Sequence, residues 1–313
     1  MKSRKKTDMT TSPGWGKLIV RDRQLIVMTI PMLLFFLIFC YVPMAGLSLA
    51  FVDFKPALGI FQSPFVGLKY FQQVFNNPFF PRIMRNTFLI GFETLLWSFP
   101  FPIIFALAVN ELRSSKVKKL VQTASYMPYF ISIVVIVGLM TNFLSPTTGV
   151  INNLYTAVSG KDAINFMSEP KYFRFLYVFS HIWQTFGWNS IIYLAALSNV
   201  DMTLYDSARV DGANRFQQMR YITFPSIIPT IITMLVLNVG NVMSVGFEKI
   251  ILMYSPGTYE VADVISTYTY RRGIVQADYS FGTAIGMFNS IINLFFICGT
   301  NWICKKFTDT SLW

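Results

Sequence analysis

The chain has 313 residues, 53% of them hydrophobic and only 13% charged, with a mean hydropathy of +0.48 and a formal charge of +11. That balance excludes a single water-soluble core, because too much apolar surface would be left facing water. The three cysteines, Cys40, Cys298 and Cys304, lie in apolar stretches and His181 is the only histidine, so neither an external disulfide framework nor a metal site is expected.

A bilayer core of about 30 Å needs roughly 20 apolar residues in a helix. Six stretches qualify, at 25–51, 87–110, 120–144, 175–197, 222–247 and 281–304. The fold class expected is therefore an all-α membrane protein of about six transmembrane helices. Residues 1–24 would form one tail, 25–304 the transmembrane domain and 305–313 the other tail. The first stretch is too long for a secretory signal, whose apolar region spans about 7–15 residues, and it should remain as an anchor. The segment after it contains Pro56, Gly59, Pro64, Gly67, Pro78 and Pro81, too many helix breakers for one helix, and reads as turns with short helical pieces. Within the spans, Pro31, Pro43, Pro100, Pro102, Pro128, Pro225 and Pro229 each remove a backbone hydrogen bond. Such breaks either line a cavity or reflect the ordinary tolerance of membrane helices for proline.

The basic residues set orientation. With the N-terminus inside, the cytoplasmic segments hold about 16 Lys and Arg in roughly 66 positions, against about 10 in roughly 99 outside. Lys2, Arg4, Lys5, Lys6, Arg113, Lys116, Lys118, Lys119, Lys305 and Lys306 then all face the cytoplasm, as do both termini. An N-terminal basic run just before a span is an orientation signal rather than a nucleic-acid patch, so no nucleic-acid partner is expected.

Between the fourth and fifth stretches runs Leu204-Tyr205-Asp206-Ser207-Ala208-Arg209-Val210-Asp211-Gly212-Ala213-Asn214-Arg215-Phe216, followed by Ile222-Thr223-Phe224-Pro225. Leu204, Ala208 and Gly212 recur every four residues and would share a helix face, with two small residues permitting close approach to another surface. Asp206 lies early enough to favour a helix N-terminus. From the residues alone the first reading is an amphipathic loop at the membrane interface.

The segment resembles the coupling loop of ABC-importer permeases, whose pattern is Glu-Ala-Ala, three residues, Gly, nine residues, then Ile-x-Leu-Pro. Here Asp206-Ser207-Ala208, Gly212 and Ile222-Thr223-Phe224-Pro225 keep the complete spacing, with Asp for Glu, Ser for Ala and Phe for Leu. Ser63-Pro64-Phe65-Val66-Gly67-Leu68, Arg85-Asn86-Thr87, Tyr193-Leu194-Ala195-Ala196-Leu197, Gly246-Phe247-Glu248, Tyr259-Glu260-Val261-Ala262-Asp263 and Asp211-Gly212-Ala213 are similar to the LplB-type permeases of the carbohydrate-uptake branch. The resemblance covers essentially the whole chain. It implies type I ABC-importer architecture in a bacterial cell membrane. The partners implied are a second homologous permease, two copies of a cytoplasmic ATPase and an external solute-binding protein that delivers an oligosaccharide. Asp206, Ser207, Ala208, Asp211, Gly212 and Ala213 would dock in the ATPase, with Ile222 and Pro225 joining the docked segment to the next span. The chain would catalyse no covalent chemistry and bind no cofactor of its own, ATP and magnesium being held by the separate ATPase. The absence of a Gly-x-x-x-x-Gly-Lys-Ser/Thr loop agrees with this.

Sugars are held by aromatic faces and by hydrogen bonds to hydroxyls. Trp183, Trp188, Asn189, Tyr193, Asn238, Asn241, Asn289 and Asn293, in the later spans, are the candidate solute path. For any single one of them bonding between helices or packing is the first reading, and the solute path is a reading of the set. Glu93 and His181 are ionisable residues inside spans, with a buried hydrogen-bonded role expected first and pore lining second. An ion-coupled carrier is the rival function, but such a protein commonly uses several intramembrane carboxylates, and here the spans hold one. The absence of His-Glu-x-x-His and Gly-x-Ser-x-Gly argues against an intramembrane enzyme.

Overall fold

A computed structural model of the chain describes residues 22–307. The basic run from Lys2 to Lys6 lies outside the described residues, as does the C-terminal tail beyond Phe307. Eight long helical segments carry the fold: α1 (Arg23–Phe51), α2 (Phe80–Asn110), α3 (Ser115–Phe130), α4 (Ile133–Phe143), α5 (Pro170–Ser198), α6 (Met202–Val210), α7 (Arg215–Gly240) and α8 (Tyr279–Phe307). Shorter helices fill the connections, including Gly59–Gln62 and Lys69–Phe75 after α1, Val150–Ser159 after α4, and Phe247–Met253 after α7.

Four of these segments, α1, α2, α7 and α8, are long and apolar enough to cross a membrane, and the α3–α4 pair makes a fifth if taken as one broken span. The fourth expected span, α5, has the length but not the apolarity. It carries Lys171, Arg174, His181, Gln184 and Asn189, and it is central, packing against α2, α3 and α7.

The third expected span is not one helix. α3 and α4 meet at 94°. Around Pro128 the backbone tightens into a 3₁₀ turn, Ile131 is extended, and Ser132 caps the new helix by accepting the Val135 N–H. Gln184 of α5 donates to the Ile131 carbonyl at 3.1 Å, satisfying a group that the bend leaves open. The fifth span also differs from expectation, ending at Gly240 rather than 247. Beyond it, Asn293 of α8 braces the turn: its Oδ1 accepts the Met243 N–H at 3.2 Å and its Nδ2 donates to Ser244 Oγ at 2.9 Å. Gly91 of α2 lets the Val242 carbonyl come so close that a methyl group there would overlap it.

Three buried clusters result. Ile90, Phe173, Tyr177, Val245 and Ile250 pack around the first half of α5, while Ile103, Ala106, Tyr193, Leu197 and Ile227 pack around its second half. Ala50, Val74, Ile83, Met243, Phe281 and Ile285 join α8 to the end of α1 and to α2. By contrast, residues 23–44 of α1 bury nothing against the rest of the chain.

Candidate functional site

The loop between α5 and α7 is held by its own side chains. Asp201 caps α6, its carboxylate accepting the Thr203 N–H at 2.9 Å. That hydrogen bond holds its pKa below the usual Asp value. The charged cap is therefore complete above the ordinary carboxylate range and is lost only as the pH falls below that range, through the lowered value. α6 ends at Val210, so Gly212 does not continue the face of Leu204 and Ala208 as the four-residue spacing predicts. It sits past the helix with φ +79°, in open space, where glycine is needed for its left-handed backbone rather than its size. Asp206 bonds Arg209 at 2.9 Å on the exposed surface instead of acting at the helix N-terminus. Asn214 and Gln217 form a reciprocal capping box that starts α7. Tyr205 and the buried Thr223 share a hydrogen bond of 2.9 Å, tying α6 to α7.

Of the residues predicted to dock, Asp206, Ser207, Asp211 and Gly212 are exposed, while Ala208 and Ala213 are half-buried. Ile222 is half-buried within a π turn, Met219–Thr223, and Pro225 follows at the start of the regular helix. Pro225 has no N–H to give the preceding turn, which accounts for the wider winding there. Val210, at 88% exposure, is the most exposed apolar side chain of the loop and lies outside the predicted set.

Inside the helices are two adjoining polar cavities that share Ser98 and Asn238. The first, of about 440 Å³, is lined by Trp188, Asn189, Tyr193 and Asn238 among others. Trp188 is fixed there by stacking on Tyr129, with centroids 4.6 Å apart and planes at 4°. The second, of about 430 Å³, is lined by His181, Gln184, Asn238, Asn241, Ser244 and Lys249, with Gly91 and Thr94 of α2. The fold thus brings together five of the predicted path residues. Trp183 lines instead a separate, nearly apolar cavity of about 400 Å³ with Leu139, Phe143 and Phe179. Asn293 braces the turn after α7, and Asn289 lines neither polar cavity. Glu93 is paired with Arg174 of α5 at 2.7 Å. Ser98, Gln184 and Lys249 are cavity residues that sequence reasoning missed. Only the polarity of Ser98 and Gln184 inside apolar runs could have signalled them.

Comparison with known proteins fits this arrangement. Residues 98–308 match the family described as "Binding-protein-dependent transport system inner membrane component". The chain is 42% identical to Protein LplB of Bacillus subtilis (strain 168) over 299 residues, covering 96% of this chain and 94% of that protein. It is 39% identical to the polygalacturonan/rhamnogalacturonan transport system permease protein YteP of the same organism, over 94% of this chain and 92% of that protein. Among solved structures it is similar to a chain of a bacterial alginate ABC transporter in complex with an alginate pentasaccharide-bound periplasmic protein, with a TM-score of 0.86, 43% identity, and coverage of 96% of this chain and 100% of that one. The chain therefore belongs to the family of binding-protein-dependent transport system inner membrane components.

Proposed function

We propose that this chain is the permease subunit of an ATP-driven importer and forms half of the path for an oligosaccharide. The two adjoining polar cavities between the helices carry this reading, because they set aromatic faces and amides where a hydroxylated solute could pass. Relatives named for polygalacturonan/rhamnogalacturonan and for alginate support a sugar. In this reading six helices span a bacterial cell membrane, α5 being the central one, and both termini face the cytoplasm. An external solute-binding protein delivers the sugar, and a second homologous permease supplies the other half of the path. Residues 23–44, exposed on every side, then lie against lipid and that second permease. Two copies of a cytoplasmic ATPase hold ATP and magnesium, and the loop 202–225 seats against them through Asp206, Ser207, Ala208 and the Asp211-Gly212-Ala213 turn. The Tyr205–Thr223 bond and the segment of α7 around Ile222 and Pro225 pass the movement of α6 to the rest of α7. An ion-coupled carrier is disfavoured because Glu93 is already matched by Arg174 and no carboxylate lines either polar cavity.

The test is Val210→Asp in a complex purified with the partner permease, the ATPase and the binding protein. Because this side chain is almost fully exposed, its replacement removes no contact within the chain. Stimulation of ATP hydrolysis by the loaded binding protein is expected to fall about tenfold, as for loss of an apolar interface anchor, with the melting temperature unchanged. Full stimulation in the assembled variant would overturn the coupling role of the loop.

A further inference from the structure

The second polar cavity contains a basic side chain that the path described so far does not use. Lys249 is 4% exposed. Its ammonium donates one hydrogen bond, to the Tyr177 carbonyl at 3.0 Å, and lies 4.9 Å from the centroid of the Tyr177 ring. An ammonium has three N–H donors, and a buried charge is costly unless something of opposite sign meets it. Among the described residues no ion pair includes Lys249. The carboxylates on neighbouring elements do not serve: Glu93 is paired with Arg174, and Glu248 is exposed.

The rest of the wall mixes apolar side chains, Leu95, Ile133, Val242 and Val245, with polar ones that carry no carboxylate. Gln184 gives an N–H to Ile131, while Asn238 and Asn241 each give one to a carbonyl of their own helix, at 2.7 and 2.9 Å. Each amide so held in place still has an oxygen that can accept a hydroxyl. The imidazole of His181 makes no hydrogen bond to another described residue and faces the same space. Amide acceptors for hydroxyls beside one unbalanced ammonium form the recognition set for a sugar ring that carries a carboxylate.

We infer that this cavity is a subsite for an acidic sugar residue, with Lys249 binding its carboxylate, so that the path favours uronate-containing over neutral saccharides. This rests on the reading of the chain as a sugar permease. A lysine that only braces the Tyr177 carbonyl would affect acidic and neutral sugars alike.

The complete importer, reconstituted in proteoliposomes with its partner permease, ATPase and binding protein, is offered galacturonate and alginate oligosaccharides together with their carboxyl-reduced, neutral counterparts. The wild type is expected to prefer the acidic forms. Lys249→Met is expected to lower the acidic-to-neutral uptake ratio about tenfold or more, the scale of one charge-assisted hydrogen bond, and Lys249→Arg to retain part of the preference. Asn238→Asp leaves the lysine in place but sets a carboxylate in the same cavity. It is expected to lower the same ratio, so the result does not depend on how well Lys249→Met folds. A ratio unchanged in both Lys249→Met and Asn238→Asp, or a wild-type preference for neutral sugars, overturns the subsite and leaves the sugar reading standing. Uptake of neither kind by the wild type overturns the sugar reading, and the subsite with it.

Discussion

Gly91→Ala is expected to destabilise the protein by about 1–3 kcal/mol, the cost of forcing atoms into a packed interior. The usual helix preference runs the other way, since alanine in place of a helical glycine normally stabilises by up to about 1 kcal/mol. What decides the sign is the neighbour. A Cβ at Gly91 would overlap the Val242 carbonyl, and backbone, unlike a flexible side-chain end, cannot swing aside. That carbonyl belongs to the turn between α7 and the helix Phe247–Met253, whose residues Asn241, Val242, Ser244 and Lys249 line the second cavity with Gly91 itself. The substitution should therefore lower both the melting temperature of the detergent-solubilised complex and the rate of solute uptake. Gly138→Ala in α4 is the control, since a Cβ there meets nothing within 4 Å. Equal melting temperatures for the two variants would refute the account of the close approach.

Asn152→Ala should cost about 2–4 kcal/mol, because it strips partners from three backbone groups at once, one buried and two part-buried. Asn152 is fully buried in the helix Val150–Ser159. Its Nδ2 donates to the Leu144 carbonyl at 2.6 Å and the Ile164 carbonyl at 2.8 Å, and its Oδ1 accepts the Ile164 N–H at 3.0 Å. One side chain thus holds together both ends of the connection between α4 and α5. In the variant, protease cleavage between residues 145 and 165 should become rapid at temperatures where the wild type resists. Asn153→Ala, an exposed neighbour, should leave the cleavage rate as it was. Equal resistance in Asn152→Ala would mean that apolar packing alone orders this connection.

The apolar segments were legible in the sequence because lipid imposes a length and a composition that can be counted. The breaks inside them were less so. Pro128 marks a disturbance, but the 94° angle is set by the extended Ile131, the new cap at Ser132 and a carbonyl partner supplied by Gln184 more than fifty residues later. The end of α7 at Gly240 likewise depends on Asn293 of another helix. In the loop, the spacing identified Gly212 but gave it the wrong reason, since a four-residue repeat cannot reveal that the helix stops at Val210. Among the path candidates, Trp188, Asn189, Tyr193, Asn238 and Asn241 face the polar cavities, whereas Trp183, on the same helix as Trp188, turns to an apolar one. Residue type marks which side chains suit a sugar, but helix rotation decides which of them line the polar cavities. Lys249 was hidden because its burial follows from packing on Tyr177, seventy-two positions away.

The isolation of residues 23–44 has a consequence for how such a protein is made. This stretch is synthesised before the helices that follow it and finds no surface on them to recognise, so those helices can fold without waiting for it. Its resting place is then chosen by whatever lies alongside in the bilayer. The stretch behaves as a detachable arm: grafting it onto a related permease should carry over a preference for a neighbour without disturbing the recipient's interior, and newly made chains lacking a neighbour would show this arm first to the cell's quality-control proteases.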